Sequence, residues 1–252
     1  MCDFGDEGAI ELAKAIERNK NLTNLSISHN KISNQGAIAI SNAIKNSKIT
    51  WLVLCFNDLR DIGACAIADS LNCNAQIREL YLGGNKIGVQ GFIALAKAIK
   101  YNKTITKLDL GCNLQFYQDE NEDGIEKDNV GILAIADVMQ HNKVLEDVNL
   151  ISSCIEDEGA IALAFAITSS TSLIRIDLDY NQIGDDGALA LACAMKESKC
   201  ATFMSLCGNA DISDFGMSCL IDISTRISSC KKIDLDQDSD YMEEYDAVDD
   251  IY

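Results

Sequence analysis

The chain has 252 residues, 48% of them hydrophobic, and a net charge of −18 at pH 7. That apolar content supports a full core and excludes wholesale disorder. The charge makes nucleic acid and anionic membrane poor partners, because phosphate would be repelled, and it favours a basic protein surface.

The first residues, MCDFGDEGAIELAKAIERNK, lack the basic and apolar regions of a signal peptide. No run of 18 apolar residues predicts a membrane span. The eleven cysteines are odd in number and include no C-x-x-C pair. They fit reduced thiols in a cytoplasmic protein, and no zinc spacing is present.

In chain order, residues 1–20 predict a helix without a strand before it. Phe4 and Gly8 occupy positions that then recur. The recurring glycines are Gly8, Gly36, Gly63, Gly91, Gly131, Gly159, Gly187 and Gly216, with spacings of 28, 27, 28, 40, 28, 28 and 29. Six residues before four of them stand Asn30, Asn57, Asn85 and Asn181, while Asn209 precedes Gly216 by seven and Asn113 precedes Gly131 by eighteen, across the 40-residue interval. Alternating aliphatics lead into each asparagine, as in LTNLSISHN (22–30), IRELYLGGN (77–85) and LIRIDLDYN (173–181). Residues two apart, such as Leu80 and Leu82, share one face of a short strand. Behind each glycine comes a helical phrase, such as GFIALAKAIKYN (91–102), in which Leu95 and Ile99 share one stripe.

One strand and one helix cannot bury both apolar faces alone, but stacked units can, with strands inside and helices outside. The asparagines are expected to bond backbone groups of adjacent turns. The glycines are expected to permit close strand–helix approach.

The 40-residue interval holds NLQFYQDENEDGIEKDNVG (113–131), about a dozen residues more than its neighbours. Asp119–Gly124 matches D-x-N-x-D-G, the first half of a calcium loop. Position twelve, where such loops carry a bidentate glutamate, is Val130. The insertion near 115–128 is thus a metal loop lacking its main ligand, a rim finger that contacts a partner, or a tolerated surface addition. One unit later Ser153 breaks the asparagine column. After Lys232 come nine acidic residues and no basic one. Ile233 and Leu235 predict a last strand, and Tyr241, Tyr245, Val248 and Tyr252 fall at helical spacing, giving either an acidic cap or an acidic interaction tail.

The L-x-x-L-x-L-x-x-N phrases, the 28-residue period and the full helices resemble the ribonuclease-inhibitor-like subfamily of leucine-rich repeats. That subfamily includes ribonuclease inhibitors, the repeat regions of NOD-like receptors and Ran GTPase-activating proteins. The resemblance implies an α/β fold: a single right-handed leucine-rich-repeat solenoid, or horseshoe, with a parallel concave sheet and convex helices. About seven full repeats occupy 21–230, between an N-terminal half-repeat (1–20) and a C-terminal strand and acidic cap (231–252).

In such a solenoid the residues between the buried aliphatics face the inner curve. One column is Asn24, Trp51, Glu79, Lys107, Asp147, Arg175, Phe203 and Lys232. The central column is Ser26, Val53, Tyr81, Asp109, Asn149, Asp177, Ser205 and Asp234. The third includes Ser28, Cys55, Gly83, Gly111, Ile151, Asp179 and Cys207. Trp51, Tyr81 and Phe56 form an aromatic group that either anchors a partner or packs on itself. Asp109, Asp147, Asp177 and Asp179, with Tyr180 at the edge, line an acidic half that either attracts a basic protein or keeps the face soluble.

Catalysis finds little support. His29 and His141 have no matching nucleophile, and no G-x-x-x-x-G-K phosphate loop appears. The expected function is a non-enzymatic, monomeric, protein-binding module without cofactor or metal. By resemblance, regulation of a Ran-type GTPase is an alternative, with Arg60 in a strand–helix loop as the residue to suspect. The sensing region of a NOD-like receptor, or a microbial effector, is another.

Overall fold

The computed structural model describes residues 3–114, 129–227 and 230–235. Helices and strands alternate from first to last. They are α1 (Gly5–Arg18), β1 (Asn24–Ser26), α2 (Asn34–Ile44), β2 (Trp51–Val53), α3 (Arg60–Leu71), β3 (Glu79–Tyr81), α4 (Val89–Lys100), β4 (Lys107–Asp109), α5 (Val130–His141), β5 (Asp147–Asn149), α6 (Asp157–Ser169), β6 (Arg175–Asp177), α7 (Asp185–Glu197), β7 (Phe203–Ser205), α8 (Asp214–Arg226) and β8 (Lys232–Asp234). The strands form one parallel sheet in chain order, β1 to β8.

Register follows the period. Asn24, Trp51, Glu79, Lys107, Asp147, Arg175, Phe203 and Lys232 are successive partners across the sheet. It survives the 40-residue interval because the extra residues fall in sequence between β4 and α5. The central residue of each strand points to the helices. Leu52, Leu80, Leu108, Val148, Ile176 and Met204 are fully buried. The helices answer with aliphatics four apart, such as Leu95 and Ile99 or Leu163 and Ile167, also fully buried. These residues belong to one continuous core between sheet and helices.

The asparagines serve the turns, as the spacing predicts. Asn57 Oδ1 accepts the N–H groups of Asn30 and Ile32 in the preceding unit, and Nδ2 donates to the carbonyls of Ile27 and Leu54. Asn113 does the same for Asn85 and Ile87, and Asn181 for Ser153 and Ile155. Asn57, Asn113 and Asn181 thus finish the turn of the unit before them, whereas Asn85 reaches back only through Nδ2, to the Leu54 carbonyl. Ser153 stands in the asparagine column one unit after the insertion, and its hydroxyl donates to the Ile151 carbonyl within its own turn. A second ladder lies where helices return to strands. Asn74, Asn102 and Asn142 each accept two N–H groups of the next segment, and Asn142 also donates to the carbonyls of Ile99 and Asn102.

The glycines have a different role from the one expected. They stand in the first turn of each helix and permit close approach of the preceding helix. A Cβ on Gly187 would lie 2.6 Å from Asp157 Oδ1 and 2.8 Å from the Ala160 Cβ of α6. The carboxylate is there because it caps the next helix: Asp157 Oδ1 accepts the N–H groups of Gly184 and Gly187 at 2.7 and 3.0 Å. Asp61 does this for Gly88 and Gly91, and Asp6 for Ser33 and Gly36. Asp185 reaches Ser213. A carboxylate is favoured there by the unmet N–H groups and the positive end of the helix dipole.

Candidate functional site

The inner curve carries the three columns read from the sequence. Its N-terminal part holds a small apolar cluster of its own, separate from the main core: Val53, Cys55 and Tyr81, with Trp51 and Phe56 packed against them. The Trp51 and Tyr81 rings meet edge to face, with centroids 6.0 Å apart. The Tyr81 hydroxyl donates to Glu79 Oε2 at 2.8 Å, and burial, with the Glu79 bond and charge, pushes its pKa up. Tyr81 is buried, so it supports the cluster from below, while Trp51 and Phe56 are half-buried at its surface.

The acidic part is more engaged than the sequence implies. Asp109, Asp177 and Asp179 are all at most 5% exposed. Asp109 Oδ1 accepts the Gly111 N–H at 3.0 Å, and Asp177 Oδ1 accepts the Asp179 N–H at 3.2 Å. Asn149 does likewise for Ile151. Central-column side chains therefore finish N–H groups just past the strand. Asp179 Oδ1 accepts the Cys207 N–H of the next unit at 2.7 Å. Burial raises the Asp179 pKa above its ordinary value, against the lowering effect of bonds from Ser205 and Cys207; nearby Asp234 adds to the rise. Asp147 is half-buried.

Cations interleave with these acids. Lys107 lies 3.4 Å from Asp147 and over the Tyr81 ring. Arg175 stacks on Phe203, 4.5 Å from its centroid, and reaches Asp177; Lys232 lies over the same ring and pairs with Asp234. Phe203 is thus a second aromatic centre, held between two cations. By alternation alone Phe203 is one more member of its column. The signal was there: Arg175, Phe203 and Lys232 are consecutive in one column.

At the rim, the residue before each asparagine is left-handed. His29, Phe56, Cys112 and Tyr180 have φ of 56, 53, 55 and 53°, while Gly84 and Gly208 fill the same place in other units. The Phe56 ring lies over Gly84 and stacks on His29, and the Tyr180 ring lies over Gly208. Tyr180 is exposed. Burial and the charge of Asp109 push the Cys112 thiol up to about 12, which keeps it protonated and a poor nucleophile. Arg60 is exposed and left-handed, and its guanidinium is drawn back onto Asp58, which Lys86 also contacts. His141 Nδ1 sits on the carbonyl and carboxylate of Asp137. Among the described residues no group of three or more His, Cys, Asp or Glu side chains is placed to hold a metal ion. The Asp119–Gly124 phrase lies outside the described residues. No helix among them is long and apolar enough to cross a membrane.

A parallel sheet in chain order, backed by helices and stitched by asparagines, defines a strand–helix repeat solenoid. A Leucine Rich repeat family model matches residues 18–41, 73–96, 141–164 and 169–192. A ribonuclease inhibitor from Sus scrofa is 24% identical over 165 residues, covering 64% of this chain and 34% of that protein. NACHT, LRR and PYD domains-containing protein 4E from Mus musculus is 27% identical over 174 residues, covering 64% of this chain and 16% of that protein. Among solved structures, the yeast Rad7 and Elc1 complex is similar in fold, with TM-score 0.62 and 16% identity over 92% of this chain and 53% of that one. The chain thus carries leucine-rich repeats and is similar to the ribonuclease-inhibitor-like form of such repeat proteins. It spans about a third of the ribonuclease inhibitor's length.

Proposed function

We propose that the protein is a non-enzymatic binding module that holds a basic protein partner against its inner curve. The observation that carries this reading is the separate apolar cluster around Trp51, set outside the core and followed along the sheet by carboxylates. Trp51 and Phe56 provide apolar contact above Tyr81. Asp147, with the potential of the buried Asp109, Asp177 and Asp179, attracts positive charge, and Tyr180 meets the partner at the rim. A concave surface with low-dielectric walls concentrates such a field. The relatives named for inhibiting a ribonuclease support a protein as the partner class.

Capture from a lysate by the immobilised full chain tests it, with Trp51→Ala and Asp147→Lys beside the wild type. Both positions are half-buried and outside the main core, so both variants should fold. The same basic proteins should be lost from both, and should elute from the wild type as salt rises. Partners retained by both variants, or indifferent to salt, would count against the reading.

A further inference from the structure

The outer surface has an apolar pattern that the inner one does not explain. Two places after each repeat glycine stands an aliphatic residue in most units, as Ile10, Ile38, Ile93, Leu133, Ile161 and Leu189. Four places after, Leu95, Leu163 and Leu191 are fully buried. The first set lies outward, with Leu133, Ile161 and Leu189 exposed. Over α5–α8 this row widens. Phe165, one turn beyond Ile161, is 64% exposed, and Phe215 and Ile221 on α8 are 73% and 51% exposed. Scattered surface aliphatics need no explanation, but a row repeated at one position on successive helices, with phenyl rings in water beside it, marks a contact surface.

The charges around the patch choose its occupant. Glu158, Asp186 and Asp214 border it on the side of the helix starts. Asp137 and Asp222 lie within a turn of Leu133 and Ile221. The cations beside these two are committed, Lys100 and His141 to Asp137 and Arg226 to Asp222. A second copy of the chain would bring another −18, and residues 236–252 would bring acids and no base. Neighbouring packed helices lie about 8–10 Å apart. Side chains seven apart on a crossing helix are separated by about 10.5 Å, so residues i, i+7 and i+14 meet successive helices.

We propose that the convex face of α5–α8 docks a basic amphipathic helix of a protein partner. Leu133, Ile161, Phe165 and Leu189 form its apolar floor, Phe215 lies at the edge where the helices start, and Glu158, Asp186 and Asp214 meet its basic side. This surface is distinct from the inner curve and does not depend on it.

The test uses a labelled synthetic leucine–lysine peptide with a single apolar face, a scrambled peptide of equal composition, and the full chain. Fluorescence anisotropy reads binding to the wild type, to a Phe165→Ser/Leu189→Ser double variant and to Ile62→Ala. The double variant should weaken the peptide by about tenfold or more, as lost burial of two large side chains implies. Ile62→Ala, at an exposed position of α3 outside both surfaces, should leave its affinity unchanged, and the scrambled peptide should bind about tenfold less well than the amphipathic one. Both serines replace exposed residues, so an unchanged thermal midpoint verifies the fold. Equal binding of the scrambled peptide, or of the double variant, would overturn the proposal. So would a dimer in sedimentation that the double variant dissociates, or a tightened peptide complex after removal of 236–252.

Discussion

Single residues on the inner curve serve the turns as well as the surface. Asp179 shows the tension: its carboxylate accepts the Cys207 N–H, yet burial and Asp234 oppose its charge. The folded state therefore holds its proton more tightly than the unfolded state does. Its favourable contribution is complete below the ordinary carboxylate value and is lost as pH rises through the raised one. Asp179→Asn keeps an acceptor and removes the charge. The variant should exceed the wild type in stability at pH 7, and the gap should close near pH 4. Urea midpoints at the two values check this, and a variant less stable at pH 7 would refute it. Asp6 has the opposite sign. Burial acts to raise it, but bonds from Ser33 and Gly36 prevail and hold it below the ordinary value. Its contribution is present above that value and fades as acid protonates it.

At the scale of the element, what links helices is a carboxylate two places before the glycine. Asp157→Ala removes the acceptor of the Gly184 and Gly187 N–H groups and should cost about 1–2 kcal/mol, the usual worth of such a cap. Gly187→Ala should also destabilise, by about 1–3 kcal/mol. Alanine favours a helix by about 1 kcal/mol over glycine, but its Cβ would meet Asp157 and Ala160. Denaturant midpoints of the two variants measure both effects; a stabilised Gly187→Ala would show that helix spacing relaxes freely. These caps also mark where the sequence is hard to read. The strand columns and asparagines are legible because the period fixes their partners. Asp61, Asp157 and Asp185 look like ordinary first-turn acids, since a one-dimensional pattern does not show that the oxygen serves the next helix. The glycine's neighbour is hidden for the same reason, since the Asp157 and Ala160 atoms it makes room for belong to the preceding helix.

The whole molecule is a curved array with different chemistry on its two faces. The sequence placed Trp51, Tyr81 and the acid columns on the inner side correctly by alternation. Burial of Asp109, Asp177 and Asp179 was not legible, because cover comes from side chains on neighbouring strands. The outer patch was hidden too. A helix such as GAIALAFAI is apolar around most of its girth, so its wet side shows only once packed. Net charge acts at this scale as well. Raising ionic strength from about 0.01 to about 0.15 M shortens the screening length from about 30 to about 8 Å. Self-repulsion at −18 should then ease, so the thermal midpoint should rise while affinity for a basic partner falls. Opposite movement of the two quantities in one salt series is the expected result. A midpoint that drops with salt would show that surface ion pairs outweigh net repulsion.

The two kinds of stitch run in opposite directions along the chain. Asp157 reaches forward to the start of α7, whereas Asn181 reaches back to the turn at Ser153. As the chain leaves the ribosome, each capped helix emerges beside an anchor already made, while each turn stays open until the following unit arrives. Growth of the solenoid is therefore guided from behind and locked from ahead.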